Sequence, residues 1–236
     1  MSNLIAACAF FLLIHFGVSG TPLRGLLVAR MGERRYVGLF SLASVIGLVW
    51  LVMAYRRAPT LVLWGDCASL QPAAMALMLI ATLFVVIGLT TPNPTMLGTR
   101  SMLAGGADAV RGMTRITRHP FLWGTALWAL VHLVVNGDLA SLVVFGSLLL
   151  LAIGGTPLID ARQRQRVGDQ WQAFGQVTSN IPFAAIAAGR NRLGPALREI
   201  GLLRPLMALA VYALLLALHG PLFGVRLISI TIAGDG

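Results

Sequence analysis

The forty residues PFLWGTALWALVHLVVNGDLASLVVFGSLLLLAIGGTPLI, residues 120–159, decide the fold. They contain two apolar runs, Phe121–Val135 and Leu139–Ile159, separated by Asn136-Gly137-Asp138. Because Asn, Gly and Asp together favour a tight turn, the chain is expected to reverse direction at this triplet. A helix that crosses the hydrocarbon core of a bilayer needs ~20 mainly apolar residues. The stretch therefore predicts two antiparallel transmembrane helices joined by a short turn.

Long apolar runs continue on both sides of this pair. The chain has 236 residues, of which 57% are hydrophobic and 11% are charged, and its mean hydropathy is +0.82. Such a composition is typical of a membrane protein. We expect an all-α fold, a polytopic membrane helical bundle with about six transmembrane helices in a single domain over residues 1–236. Gly220-Pro221 is expected to end the last helix. The four further spans are Leu4–Gly20, Tyr36–Tyr55, Pro72–Thr91 and Pro205–His219.

The positive charge of the chain comes entirely from arginine, since the sequence contains no lysine. If the six spans alternate, fifteen arginines fall on one side of the membrane and three, Arg56, Arg57 and Arg226, on the other. Positive residues accumulate in cytoplasmic loops, so both termini are expected outside, in a bacterial-type inner (plasma) membrane. The expected partner of these arginines is the lipid bilayer, because they flank apolar spans, and nucleic acid is not an expected partner.

The connection Asp160–Arg204 carries a helical pattern of its own. Val167, Trp171 and Phe174 recur at helical spacing, next to three arginines. This pattern is typical of an amphipathic helix lying in the cytoplasmic membrane interface. An ordinary helix packed on the bundle gives the same pattern, so both interpretations stay open. The neighbouring arginines are Arg162, Arg164 and Arg166.

Three histidines, His15, His132 and His219, lie inside apolar segments. A polar side chain in hydrocarbon is costly unless it is paired or ligated, and histidine is the commonest protein ligand for a metal. Taken singly, each is better explained by a hydrogen bond to a neighbouring helix. Three in so apolar a chain favour a buried cofactor. By depth alone His132 pairs best with His219, near the outer ends of their spans, while His15 lies further in.

The triplet Arg118-His119-Pro120 opens the fourth span. Proline is favoured at the first position of a helix, where its missing N–H leaves no bond unmade. We therefore expect the helix to begin at Pro120, with His119 capping it at the cytoplasmic interface near the lipid headgroups.

Several motifs resemble those of a known family. The sequence is similar to the NnrU family, which includes the plant-type zeta-carotene isomerases, over about residues 4–183, and the last expected helix, about residues 205–219, lies beyond. The most specific element is the Arg-Ile-Thr-Arg-His-Pro run followed by Trp-x-x-x-His. The matching segments are Ile14-His15-Phe16-Gly17-Val18-Ser19 with Arg24, Thr114-Arg115-Ile116-Thr117-Arg118-His119-Pro120-Phe121, Trp128-Ala129-Leu130-Val131-His132, Asn136-Gly137-Asp138 and Thr178-Ser179-Asn180-Ile181-Pro182-Phe183.

The resemblance implies a membrane-embedded haem b whose iron is held by His15 and His132. It also implies redox or isomerase-type chemistry on a small or lipophilic ligand, with a link to nitrogen-oxide metabolism and denitrification. The isomerases have a cysteine three residues before the second histidine, implicated in a redox-dependent change of ligand, whereas this chain has Ala129. A haem protein that serves electron transfer or sensing without catalysis is the non-enzymatic alternative.

A second resemblance points to a different cofactor. The segment Arg118–Gly124 is similar to a motif of the isoprenylcysteine carboxyl methyltransferases, together with Gly168–Phe174 and Ile181-Pro182. It implies that Arg118 and His119 contribute to a site for S-adenosylmethionine. Those enzymes carry a downstream acidic pair, and this chain offers only Asp160-Ala161-Arg162 there. Membrane methyl transfer is therefore the alternative enzymatic function.

Overall fold

The computed structural model describes residues 1–64, 67–95 and 100–224 and consists mainly of helices. Helix α1 continues directly into a π-helix, Leu13–Ser19, and three short 3₁₀ segments, Ala68–Leu70, Arg100–Ala109 and Gly112–Arg115, lie in the connections. The ten α-helices of the described residues are α1 Ser2–Leu12, α2 Leu23–Met31, α3 Glu33–Arg56, α4 Gln71–Thr90, α5 Pro120–Asn136, α6 Leu139–Val167, α7 Asp169–Val177, α8 Ala184–Ala187, α9 Leu193–Ile200 and α10 Leu203–Phe223.

The predicted all-α membrane bundle is confirmed. Five helical segments are long and apolar enough to cross a membrane: α1 with its π-helix, α3, α4, α6 and α10. The sixth predicted span is α5, which has 17 residues. Helices α4, α5 and α6 pack side by side, with α10 against α4 and α1 between α3 and α6. The close approach of α4 and α5 requires Gly124, because a Cβ there would lie 2.8 Å from the carbonyl oxygen of Ala81.

The predicted turn between α5 and α6 is confirmed. Gly137 has a φ of 63°, a left-handed conformation that glycine adopts without steric cost. The side chain of Asp138 then caps α6 by accepting a hydrogen bond from the Ser141 N–H at 2.9 Å. The turn is held from outside as well, because the Leu63 N–H donates to the Gly137 carbonyl at 2.8 Å.

The expectation that Gly220-Pro221 stops the last helix is wrong. Helix α10 runs through Pro221 to Phe223 and ends at Gly224, whose φ is 77°. Proline removes only one N–H from the ladder, and the Gly224 N–H still donates to the Gly220 carbonyl at 2.8 Å, so the last turn closes. Of the tail, residues 225–236, including Arg226, lie outside the described residues.

The connection predicted from Asp160 onward begins as helix instead. Helix α6 continues to Val167 and stops at Gly168, whose φ is 49°. The three predicted interfacial arginines are therefore on α6. In α7, Trp171 and Phe174 are buried with Ala109 and Val110. The interpretation of this segment as a helix packed on the bundle is confirmed. The interpretation as a helix lying in the membrane interface is wrong, because the aromatic side chains face protein.

The arginines cluster at one end of the bundle. This arginine-rich end is formed by the last residues of α4 and α6 and the first residues of α5 and α10. Its ion pairs cross between segments, for example Arg118 with Asp160 and Arg115 with Glu199. At the opposite end, α3 finishes at Arg56. The arginine asymmetry seen in the sequence is therefore a property of the folded bundle.

Candidate functional site

The candidate site is an open cavity of about 880 Å³ lined by α1 with its π-helix, α2, α5 and α6. Ligand pockets in proteins have volumes of about 300–1,000 Å³, so the space accommodates a ligand of moderate size. Most of the wall is apolar, with Trp128 and Leu148 near the middle of the bundle and Leu158 toward the arginine-rich end. The polar groups of the wall include His15, Thr125 and the side chains at the end that carries the arginines.

His15 lies in the cavity wall, inside the π-helix. Its Nδ1 is 2.8 Å from the Phe11 carbonyl oxygen, which can only accept a hydrogen bond. Nδ1 therefore carries the proton of the neutral ring, and Nε2 keeps the lone pair that a metal ion needs. The rings of Phe11 and Phe40 lie 4.5 and 5.2 Å from the imidazole and fix its orientation. Single π-helical turns occur frequently at functional sites.

Three arginines, Arg24, Arg162 and Arg166, line the cavity at the arginine-rich end. Arg24 pairs with Glu33 at 3.1 Å, and Arg166 lies 3.7 Å from the same carboxylate. Arg162 contacts the Ser19 carbonyl oxygen at 3.4 Å. This end of the cavity is therefore basic, with Glu33 beside two of the three arginines. Basic side chains at the end of an apolar cavity suit a ligand whose apolar body ends in one or more anionic groups.

His132, the second predicted ligand, does not line the cavity. It lies one turn beyond Trp128 on the same face of α5, and its Nδ1 is 2.9 Å from the Trp128 carbonyl oxygen. The imidazole therefore has the same tautomer as His15, with its lone pair on Nε2. The Phe145 ring stacks on it at 4.9 Å. His219 lies in α10, where its ring is 5.1 Å from that of Phe223.

Arg118 and His119 converge on one carboxylate, that of Asp160 on α6. The Arg118 guanidinium approaches Asp160 Oδ2 at 2.5 Å, and His119 Nε2 lies 2.6 Å from Oδ1. Only 3% of His119 is exposed, so its expected position among the lipid headgroups is wrong. It does precede Pro120, the first residue of α5, as predicted. Burial lowers the pKa of His119, so the ring is neutral and donates its Nε2–H to the carboxylate.

The segments around Arg118 and Asn180, far apart in sequence, form one hydrogen-bonded unit. The Thr117 hydroxyl and the Trp123 indole N–H both donate to the Asn180 carbonyl, at 2.5 and 2.8 Å. The Arg118 N–H donates to the Ser179 carbonyl at 3.0 Å. Asp160 lies between Ile159 and Ala161, which line the cavity. The unit therefore fixes the start of α5 against α6 at the edge of the cavity, and Arg118 and His119 position the cavity walls.

Asp160 and Asn180 are residues of this unit to which the sequence interpretation gave no partner. The sequence offered one clue, since Asp160 is the first carboxylate after a long apolar run, on the predicted side of Arg118. Among the described residues no three His, Cys, Asp or Glu side chains come together as a metal site. A haem iron needs only one or two axial ligands, so this finding leaves the haem prediction open.

Ala129, the position at which the resemblance to the isomerases implies a cysteine, lies in the packed core. Ala129 is fully buried in a cluster with Cys8 of α1 and Phe145 of α6. The Cys8 thiol points toward the Val143 carbonyl oxygen at 3.8 Å. The core between α1, α5 and α6 therefore contains a thiol, although it comes from another helix than the position seen in the isomerases.

A bundle of helices this long and apolar is an integral membrane protein. The chain belongs to the NnrU protein family, whose profile matches residues 3–227. The chloroplastic 15-cis-zeta-carotene isomerase of Zea mays is 34% identical over 82 residues, which are 35% of this chain and 22% of that protein. The isomerase of Arabidopsis thaliana is 35% identical over 82 residues, with the same coverage. The chain thus covers about a fifth of these curated relatives. No solved structure matches it.

Proposed function

We propose that this protein is a membrane-embedded haem b protein with isomerase-type chemistry on a lipophilic molecule. The observation that carries the proposal is His15 in the wall of the 880 Å³ apolar cavity, with its Nε2 lone pair left available. The similarity to 15-cis-zeta-carotene isomerases supports the isomerase class. Lipophilic substrates reach such a cavity from the bilayer without crossing water.

The residues present fit a haem in three respects. His15 supplies a neutral imidazole in the correct tautomer, apolar side chains such as Leu148 and Leu151 keep water from the ring system, and the arginines at the cavity end match two carboxylates. Bound haem b would supply an iron centre that changes redox state and binds small ligands. In this arrangement Phe11 orients His15, and Arg24 and Arg162 orient the anionic edge of the cofactor.

His132 remains our proposed second ligand. It continues the face of α5 on which Trp128 and Thr125 line the cavity, and it has the tautomer that ligation requires. A metal ion would bind Nε2 in the plane of the imidazole, so the Phe145 ring stacked on its face leaves that position clear. If His132 instead pairs with His219, the haem lies near the other end of the bundle.

The arginine-rich end is proposed to face the cytoplasm of a bacterial cell, as the positive-inside rule suggests. A small nitrogen oxide is the alternative ligand, and it needs an open position on the iron. If two histidines bind the iron firmly and leave no open position, electron transfer is the favoured function.

Haem occupancy tests the proposal directly. The purified protein, expressed with ample haem, should show a Soret band and a b-type pyridine haemochrome. His15→Ala should lower the haem content or give five-coordinate iron, and His132→Ala should do the same. His219→Ala is the matched control, because this histidine also lies in an apolar helix, and it should change the spectrum little. Full haem retention in both of the first two variants would contradict the ligand assignment. Loss in His132→Ala and His219→Ala alone would establish the other pair.

The isomerase assignment needs a separate assay. The haem-loaded protein should convert a cis polyene such as 15-cis-zeta-carotene to its trans isomer in lipid vesicles, measured by chromatography. His15→Ala should abolish the conversion. A haem-loaded protein that never alters the polyene would leave haem binding intact and reject the isomerase activity.

A further inference from the structure

An exposed apolar surface at the arginine-rich end has no role in the cavity. Helix α9 buries Ala196 and Ile200 in a cluster with Met113 and Ile116. On its other side Leu193 and Leu197 are 41% and 56% exposed. The apolar face of α9 is therefore wider than the part of it that packs against the protein core. We call the exposed residues the α9 surface: Ile181, Phe183, Leu193, Leu197, Leu202 and Leu203, with Arg192 and Arg198.

The α9 surface is not a scatter of single apolar residues. Leu202 and Leu203, which connect α9 to α10, are 74% and 71% exposed, and Ile181 is 62% exposed. Contiguous apolar patches of this kind mark the contact with a partner or a membrane. Helix α10, which is long and apolar enough to cross a membrane, begins at Leu203, shortly after α9 ends at Ile200. The α9 surface therefore adjoins the end of a candidate membrane span.

The charges of this surface identify the partner. Segment 181–204 contains one carboxylate, Glu199, which is held by Arg115 at 2.7 Å and by the Gly112 N–H at 2.6 Å. In the part of the chain that the structure describes, the guanidinium groups of Arg192 and Arg198 are exposed and make no hydrogen bond or ion pair. The α9 surface thus combines apolar side chains with uncompensated positive charge. That combination is typical of helices that lie in an anionic membrane interface.

We propose that the α9 surface binds anionic phospholipids of the leaflet at the arginine-rich end. Leu193, Leu197 and Leu202 enter the boundary between headgroups and acyl chains, while Arg192 and Arg198 bind the lipid phosphates. Each basic residue near an anionic membrane surface strengthens the attraction by about fivefold, so the two arginines together account for on the order of tenfold or more. The partner is the lipid headgroup, and this role is independent of the haem proposal.

Hydrogen exchange of the full chain in lipid nanodiscs tests the proposal. Amides of residues 193–200 should exchange about tenfold more slowly in discs with about one-third phosphatidylglycerol than in discs of phosphatidylcholine alone. The variant Arg192→Gln/Arg198→Gln should lose this difference. Arg56→Gln/Arg57→Gln, at the opposite end of the bundle, is the control and should keep it. Exchange of α5 amides reports whether each variant is still folded.

A second variant tests the apolar half of the surface. Leu193→Ser/Leu197→Ser should speed the exchange of α9 in both kinds of disc, since the leucines anchor the helix whatever the headgroup. Equal exchange of the unmodified chain in the two lipids would overturn the proposal. A lipid effect that survives in Arg192→Gln/Arg198→Gln would overturn it too.

Discussion

Removing the carboxylate of Asp160 is the strongest test of the unit that joins α5 to α6. Asp160 is 8% exposed and accepts from the Arg118 guanidinium at 2.5 Å and from His119 at 2.6 Å. In Asp160→Ala the Arg118 side chain, 13% exposed, loses its counter-ion. Removing one partner of a buried ion pair costs about 3–5 kcal/mol. Arg118 keeps a long contact to the Thr178 hydroxyl at 3.5 Å, so we expect the free energy of unfolding to fall by about 3 kcal/mol, the lower end of this range.

Thermal unfolding in detergent measures this loss. For a chain of this size, about 3 kcal/mol corresponds to a decrease of roughly 6 to 12 °C in the unfolding midpoint. Asp169→Ala is the control, because this carboxylate lies in the exposed first turn of α7, and exposed charges of this kind contribute less than about 1 kcal/mol. If the two variants lower the midpoint equally, the buried network does not hold α5 to α6 and the reasoning is refuted.

Three further predictions follow from the same structure. The hydrogen bond from Arg115 lowers the pKa of Glu199. The stabilisation that the Glu199 carboxylate gives α9 is therefore complete above the ordinary carboxyl pKa of about 4.3 and disappears as the pH falls through the lower folded-state pKa. Hydrogen exchange of α9, corrected for its intrinsic pH dependence, should accelerate below about pH 4, and Glu199→Gln should show no such step. Reporter fusions after Arg57 and after Gly189 should lie on opposite sides of the membrane, and the same location for both would reject the alternating spans. If Arg118 and His119 serve to hold Asp160, the protein should not bind S-adenosylmethionine in calorimetry; saturable micromolar binding that is lost in Arg118→Ala would instead support the methyltransferase alternative.

The helical framework was predictable from sequence because apolar length and turn residues are local properties. The run 120–159 indicated the α5–α6 hairpin, and the structure places Gly137 and Asp138 in the turn as expected. Helix ends were harder to predict. Helix α6 carries its arginines beyond the apolar run, since Arg and Gln are good helix formers and only Gly168 ends the helix. Charge marks where a helix leaves the hydrocarbon, and it does not mark where the helix ends.

The site was predictable only in part, because it depends on contacts between distant segments. Apolar context singled out His15, and the structure places it in the cavity wall. The sequence could not show that His132 lies one turn outside that wall, because the position of a residue along its helix does not specify which side chains of other helices pack against it. The pairing of Arg118 and His119 with Asp160 joins residues about forty positions apart. Periodicity carries no information on such a contact.

The central claim, that the cavity beside His15 holds the ligand, is tested most directly by filling the cavity. Gly155 lies in its wall, and a Cβ there would be 3.7 Å from Leu122. Gly146 is also on α6, has the same 3.7 Å spacing to Leu133 and does not line the cavity, so it is the matched control. The measurement is the Soret absorbance per protein after expression with ample haem. Gly155→Phe should lose most of the haem while Gly146→Phe keeps it, and equal haem content in the two folded variants would contradict the account.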